Sequence, residues 1–540
     1  MKTYKLLTLS FLLGTAVNGQ TLADARKNTE NERFDVAGGN FRALIAKEPT
    51  KAENYFYYGE NFLEHGDLDS ANIIWTKGVA VDPLNALNYT GLGKFLWFQG
   101  DTTAANVHIA KAFTLTKNKN AEIMRQTANI YIKTTKFKKL KAALELLDKA
   151  LKLDPNNPEN YLLMGDALLQ ITPENSSPAI KNYNLALNLD PKSPKALVRT
   201  AKIYFAAKNP ELANSKYEEA QALDPNYAPA YRENAELYMR YDKSTKAIEN
   251  WKKYLALNNS IEARYRYATS LFQGKKYCDA IVELTSVQAG GFNNFYVERM
   301  LTYSYYECTE NDVKASYVKG LETSAKFFQM VPKDKVLASD YKYKGYLLSK
   351  SGNDSLAILE LETAATIDPT VAGELYGEIG KMQMKAKKYS NVITAYEKKR
   401  NGVYTNLTLN ELYDLGRSYY FGPKDYALAD SCYANFLLRS PTYALAYLGR
   451  ARCQMKLNPV KENWSSKDHY IKFIELLKPE EVTAANNKSN VMEASKYLGD
   501  YFVNSTGKDN EKAKYYWNIV KTLDPADKQA AQFFASPAGK

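Results

Sequence analysis

Large, small and polar positions recur along this chain with a period near 34 residues. With each recurrent proline counted as position 32, position 8 is small: Gly59, Gly93, Gly165, Ala201 and Ala235. Position 20 is alanine in Ala71, Ala105, Ala213 and Ala247. Position 24 is large, in Trp75, Ile109, Tyr217 and Trp251, and position 27 is small in Gly78, Ala112 and Ala220, with Tyr254 as an exception. Small residues let two helices approach, and large ones fill the space beside them. The pattern predicts two packed helices in each period.

The prolines mark the ends of these units. Leu153-Asp154-Pro155, Leu189-Asp190-Pro191, Leu223-Asp224-Pro225 and Leu523-Asp524-Pro525 share one ending, and Val81-Asp82-Pro83 and Ile367-Asp368-Pro369 nearly share it. Pro191 to Pro225 spans 34 residues, as does Pro49 to Pro83, and Pro155 to Pro191 spans 36. Proline cannot continue a helix, and aspartate before it suits a turn. The next helix opens a few residues later, as in Pro158-Glu159-Asn160-Tyr161, where Pro and Glu favour a first turn.

A helix-turn-helix period of this length resembles the tetratricopeptide repeat, or TPR. The resemblance is strongest from Phe34 to Ala280. It resumes from Tyr341 to Pro369, from Leu415-Gly416 to Pro441 and from Tyr497-Leu498-Gly499 to Pro525. It implies an all-α, right-handed superhelical solenoid of about thirteen stacked repeats. The expected organisation is a leader over 1–19, an N-terminal array over 20–285, irregular helical repeats over 286–335 and a C-terminal array over 336–540. The segments 385–405 and 455–490 also depart from the pattern.

In such arrays the first helix of each repeat lines the concave side. Position 12 of that helix is apolar: Leu63, Trp97, Ile132, Leu169, Phe205 and Met239. Position 9 is polar: Glu60, Lys94, Asn129, Asp166, Lys202 and Glu236. Position 5 is mixed, with Phe56, Thr90, Arg125, Leu162, Val198 and Arg232. Apolar beside polar stripes suit an extended peptide or a docked helix. A groove would thus use Phe56 and the position-12 residues, unless position 12 only packs against its neighbours. A carboxylate clamp of the TPR type is half present, at Arg125 and Asn129. Glu159 and Leu163 stand where its second half would need basic residues, so no clamp is expected.

The start of the chain, MKTYKLLTLSFLLGTAVNGQ, carries Lys2 and Lys5, an apolar run from Leu6 to Leu13, and small residues at Val17 and Gly19. It reads as a secretory signal cleaved before Gln20, too short for a membrane span. No later run reaches the roughly 20 apolar residues of a span. The net charge of +12 would point to nucleic acid in a cytosolic protein. In an exported one, acidic proteins, anionic polymers or membrane surfaces fit better.

Export also bears on the four cysteines. By repeat register, Cys278 and Cys308 should lie side by side, as should Cys432 and Cys453, giving two bridges or else four buried thiols. Asp69-Ser70-Ala71, Asp101-Thr102-Thr103 and Asp354-Ser355-Leu356 resemble O-glycosylation acceptors of Bacteroidota-type bacteria at Ser70, Thr102 and Ser355, although such residues also cap helices.

Only three histidines, His65, His108 and His469, are present, far apart. No phosphate loop, nucleophile elbow or Cys-x-x-Cys appears. The expectation is a non-enzymatic scaffold without cofactor or metal, binding envelope proteins rather than nucleic acid. Its style resembles periplasmic TPR proteins of Bacteroidota, some of which accompany TonB-type transport or secretion machinery. An alternative is SusD-like glycan binding, since Ala444 to Arg452 is reminiscent of a helix in that family.

Overall fold

A computed structural model of the chain describes residues 21–540 apart from 311, 403–405 and 461–462. The leader and its cleavage site before Gln20 lie outside the described residues. Among those residues the regular structure is helical, with no strand. The helices fall into two compact units that divide between Asn293 and Asn294. The division falls within the segment 286–335.

Among its described residues the first unit holds eight helix pairs: α1 (Leu22–Glu30) and α2 (Phe34–Lys47), α3 (Ala52–Glu64) and α4 (Leu68–Val81), α5 (Ala86–Gln99) and α6 (Thr102–Leu115), α7 (Ala121–Lys133) and α8 (Leu140–Leu153), α9 (Pro158–Ile171) and α10 (Ser177–Leu189), α11 (Lys195–Ala206) and α12 (Pro210–Leu223), α13 (Ala228–Arg240) and α14 (Ser244–Leu257), α15 (Ile261–Gln273) and α16 (Tyr277–Ala289). Each helix packs on its sequence neighbours, and first helices also approach the next first helices, as α3 does α5 and α7 does α9. That second approach places the first helices on the inner side of the stack.

Turn chemistry explains the boundaries. Asp82, Asp190, Asp224, Asp368 and Asp524 each terminate a second helix, and each side chain accepts from the backbone N–H two residues on. The aspartate therefore stabilises the turn that the following proline begins. In most pairs the turn from first to second helix passes through a left-handed residue, at Glu32, Gly66, Gly100, Lys208 and Asp242 among others. This is the common way to end a helix tightly. Asp67, Asp101 and Asn209 then cap the second helix by accepting from its backbone.

The small-against-large pattern has a direct steric cause. A Cβ at Gly59 would lie 2.2 Å from Trp75 Nε1, and one at Gly165 would lie 2.3 Å from Tyr183. Trp75 is fully buried, and its indole N–H donates to the Phe56 carbonyl at 3.0 Å. Gly380 meets Tyr396 and Gly499 meets Trp517 in the same way in the second unit.

The second unit pairs α17 (Phe295–Glu307) with the long α18 (Val313–Met330), then α19 (Ala338–Lys350) with α20 (Asp354–Ile367), α21 (Ala372–Lys385) with α22 (Tyr389–Arg400) and α23 (Leu409–Phe421) with α24 (Tyr426–Arg439). It continues with α25 (Ala444–Leu457), the shortened α26 (Lys467–Glu475) and α27 (Pro479–Thr483), α28 (Lys488–Asn504) with α29 (Asn510–Leu523), and a final α30 (Lys528–Ala535). The irregularity expected near 455–490 corresponds to α26 and α27. In the other segment expected to depart from the pattern, α22 (Tyr389–Arg400) is an ordinary second helix.

Cys278 and Cys308 are both disulfide-bonded. Cys432 and Cys453 are free and buried, so the bridge expected between them is absent. They share one core cluster. However, Cys432 faces α23 in its own repeat, where a Cβ at Gly416 would lie 3.2 Å from the Cys432 Cβ. Helix midpoints side by side do not suffice, because a bridge needs Cβ atoms directed at each other.

Candidate functional site

The first helices of the first unit wall a cavity of about 630 Å³. Its lining comes chiefly from α1, α3, α7, α9, α11 and α13, with Phe34 and Phe41 of α2 and Tyr183 of α10. The groove residues expected from the sequence divide here. Ile132 and Leu169 line the cavity. Phe56 and Trp97 are fully buried, and Ile132 is nearly so. Trp97 packs on Tyr131 at 4.9 Å between ring centroids, under the Lys139 ammonium. Leu63 and Phe205 are half-buried against neighbouring core clusters, and Met239 is half-buried. Position 12 is therefore mainly packing, and Trp97 belongs to the core.

The polar positions form the working surface. Lys94, 1% exposed, donates to both Glu60 oxygens at 2.8 and 2.7 Å and to Gln126 Oε1 at 3.1 Å. Gln126 in turn donates to Glu122, which also accepts from Arg125. Arg125 reaches Asp154 at 2.9 Å. This arginine, one half of the incomplete clamp, is thus already committed within the array, and Asn129 stands beside it on the wall. Farther along, Arg199 grips Asp166 at 3.0 and 3.1 Å, Lys202 pairs with Glu233 at 2.9 Å, and Lys195 pairs with Glu159 at 2.5 Å. Residues one period apart meet because adjacent first helices are in register.

The ionisable groups on the wall are held in mutual pairs. The Glu159 side chain keeps 37% exposure. Burial nonetheless acts most strongly on its carboxyl and would raise its pKa; Lys195 and Arg199 outweigh that and hold it below the usual value. Glu64 behaves alike, with burial opposed by Lys133. Burial would lower the Lys195 ammonium, yet Glu159 and Glu30 leave it raised. The Tyr227 phenol, walled in at the same place, is pushed up to about 12 by burial.

Sequence reasoning missed one contribution. Glu30 and Glu32, at the end of α1, reach across to Lys195 and Arg232. No local signal could show contacts so distant in sequence. The glycosylation candidates Ser70, Thr102 and Ser355 all lie in the first turn of a second helix; Ser355 is exposed and the other two are half-buried. Capping there is done by Asp67, Asp101 and Asn353. In the run from Ala444 to Arg452, Arg450 is held by Asp430 and Arg452 by Glu493. Both guanidinia are thus already engaged by carboxylates of the array.

A helix pair of about 34 residues, closed by a small residue against a large one and stacked through its first helices, is the observation that decides the architecture. The repeats are of the tetratricopeptide type. Solved structures with TPR folds resemble the chain. The C-terminal part of a TPR repeat-containing protein from Cytophaga hutchinsonii is 29% identical, covering 50% of this chain and 98% of that chain at a TM-score of 0.38. A TPR protein from Parabacteroides merdae is 19% identical, covering 49% of this chain and 98% of that one at 0.29. The human IFIT1 dimer with PPP-AAAA is 18% identical, covering 76% and 95% at 0.33. No protein-family model matches the chain. No curated protein matches it either. Among the described residues no helix is long and apolar enough to cross a membrane.

Proposed function

We propose that this TPR chain is a non-enzymatic binding scaffold that takes up a segment of a partner protein in the groove of its first unit. The observation that carries this reading is the walled cavity of about 630 Å³ built mainly from the inner helices. Cavities of this size with fixed polar groups are the usual setting for specific recognition. Of the cations on its wall, Arg125, Lys133, Lys195, Arg199, Lys202 and Arg232 are paired with carboxylates, and Arg26 lies over the Tyr57 ring. Nucleic acid needs a strip of cations free to neutralise phosphates, so a protein segment fits better.

A photo-crosslinking residue at Asn129, half-buried on the cavity wall, tests this in extract of the native cell envelope. A control at Lys77, exposed on α4, reports the outer face. Partner adducts are expected at position 129 and not at 77. Equal adducts at both positions, or adducts at 77 alone, would overturn the groove reading.

The finer context is export to the periplasm, with the leader removed before Gln20, and attachment to envelope machinery of the TonB or secretion type. The leader pattern supports export, and the machinery rests on resemblance alone. Fractionation and N-terminal sequencing test the first part: a mature chain beginning at Gln20 in the periplasmic fraction is expected. A cytosolic chain still beginning at Met1 would refute it.

A further inference from the structure

The end of α1 does more than complete a repeat. Glu30 Oε1 lies 2.9 Å from Lys195 Nζ on α11. The Arg232 guanidinium on α13 donates to both Glu32 oxygens, at 2.9 and 3.2 Å, and the Tyr254 hydroxyl on α14 donates to Glu32 at 2.9 Å. Lys27 adds a longer pair with Asp224 at 3.4 Å. These contacts join the first repeat to the sixth and seventh across the groove.

The joint is polar. The apolar residues of α1, Leu22 and Ala25, pack with the cluster around α2 to α5. The cluster of α11 to α13 is separate from it. So α1 is anchored on its own side, and polar side chains bridge the gap, chiefly Glu30 and Glu32 with Lys27 beside them. On the far side, Lys195, Arg199 and Lys202 stand at i, i+4 and i+7 of α11, which puts them on one face, and Arg232 stands beside them on α13. Three carboxylates of the array serve these four cations: Glu159, Asp166 and Glu233. Glu30 and Glu32 supply the additional acceptors.

We infer that Glu30 and Glu32 form a self-ligand, and that the face made by Lys195, Arg199 and Arg232 receives a partner segment carrying two carboxylates two residues apart. This inference deepens the groove reading and rests on it. The partner displaces the clasp by offering the same chemistry: a carboxylate gripped by the planar fork of Arg232, where charge-assisted bidentate bonds are strongest, and a second carboxylate on Lys195. The clasp keeps the groove closed to ligands without this pair, because any competitor must replace five polar contacts at once.

The test uses the full mature chain, its Glu30→Gln/Glu32→Gln variant and its Lys195→Gln/Arg232→Gln variant. The probe is a fluorescein-labelled synthetic peptide of residues 21–33, TLADARKNTENER, read by anisotropy at low salt. A control peptide has glutamine at the positions of Glu30 and Glu32. The labelled peptide is expected to bind the E30Q/E32Q chain at least tenfold more tightly than wild type, and the K195Q/R232Q chain at least tenfold more weakly than the E30Q/E32Q chain. The control peptide should lose the same tenfold on the E30Q/E32Q chain. Equal binding to wild type and E30Q/E32Q, or to E30Q/E32Q and K195Q/R232Q, would overturn the inference.

Hydrogen exchange over residues 21–33 reads the clasp without any ligand. Both variants should exchange at least tenfold faster there than wild type, with α2 unchanged, and no acceleration in either overturns the clasp. If a double variant loses helix by circular dichroism, Glu32→Gln alone takes its place under the same criteria. Partner capture separates the two readings. Capture that is equal for wild type and E30Q/E32Q removes the self-ligand and leaves the groove. Peptide discrimination without any crosslinked partner at position 129 removes the groove reading and leaves the clasp.

Discussion

Lys94→Met would be the most informative perturbation of the groove wall. The ammonium is 1% exposed and is held by both oxygens of Glu60 and by Gln126. The Glu60 side chain is itself only 12% exposed. Methionine matches the length of the lysine stem, so packing is nearly kept and charge is the main change. Removing one member of a buried pair leaves the other charge uncompensated, at a cost of about 3–5 kcal/mol. Replacing both, as Lys94→Met with Glu60→Leu, should return to within about 1 kcal/mol of wild type, because neither desolvated charge remains. The coupling energy of the cycle, the two single costs less that of the double, is then at least about 5 kcal/mol. Stacked repeats unfold in sections, so a single global unfolding energy is a poor measure. Native-state hydrogen exchange at amides of α3 and α5 reads the local effect, and about 3 kcal/mol appears there as roughly a hundredfold acceleration. If Lys94→Met costs less than about 1 kcal/mol, or the double variant is no better than the single, water already screens the pair and the wall is not held as described.

Four further outcomes follow from the packing and the ionisable groups. Gly59→Ala drives a Cβ to 2.2 Å from Trp75 Nε1 and should cost about 1–3 kcal/mol in thermal melts; Gly66→Ala, with nothing within 4 Å but a φ of +91°, should cost about 1 kcal/mol by backbone strain alone, and the reverse order would contradict the packing. Trp97→Ala should lower stability by about 3–5 kcal/mol and leave partner affinity unchanged in the folded protein, since its ring is core; weakened binding with an unchanged melting temperature would return it to the groove. Glu159 and Glu64 titrate below the ordinary 4.5, so their stabilisation is full above that value and is lost as pH falls through the depressed values. Lys195 titrates above the ordinary 10.5, so its share is lost only on the alkaline side. Exchange in α9 and α11 should accordingly accelerate in acid, and Glu159→Gln should flatten that acid limb; an unaltered limb would refute the assignment. Finally, burial pushes the Cys432 and Cys453 thiols up to about 12, so iodoacetamide should label neither in the native chain and both after denaturation, with labelling of the native chain as the contrary result.

Much of the fold was legible in the residues themselves. The contact of Gly59 with Trp75 and the turns at Asp82, Asp190 and Asp224 are local: a helix pair and its turn fit within one period, so residue size and turn chemistry report them. The candidate site was legible only in part. Position 9 was correctly read as polar, and Glu60, Lys94 and Asp166 do wall the groove or bind those that do. Position 12 was ambiguous because an apolar side chain on an inner helix can face the groove or the next repeat, and hydropathy is the same for both. Trp97 went to the core because Tyr131 of the next repeat, with Lys139 after it, closes over its ring. Cys432 was misjudged because register fixes where a residue lies along a helix, while the direction of its Cβ depends on the rotation of that helix against its neighbours.

The sequence by itself determined the all-helical repeat, its period, the residues that close each pair and the aspartates that end them. Each of these is decided by interactions within about one repeat, where chain geometry is fixed by helix pitch and turn type. Only the tertiary structure decided that Glu30 and Glu32 meet Lys195, Arg232 and Tyr254. That meeting depends on the small rotation at every repeat interface, accumulated over five successive stackings from the first repeat to the sixth, and no window of sequence holds that sum.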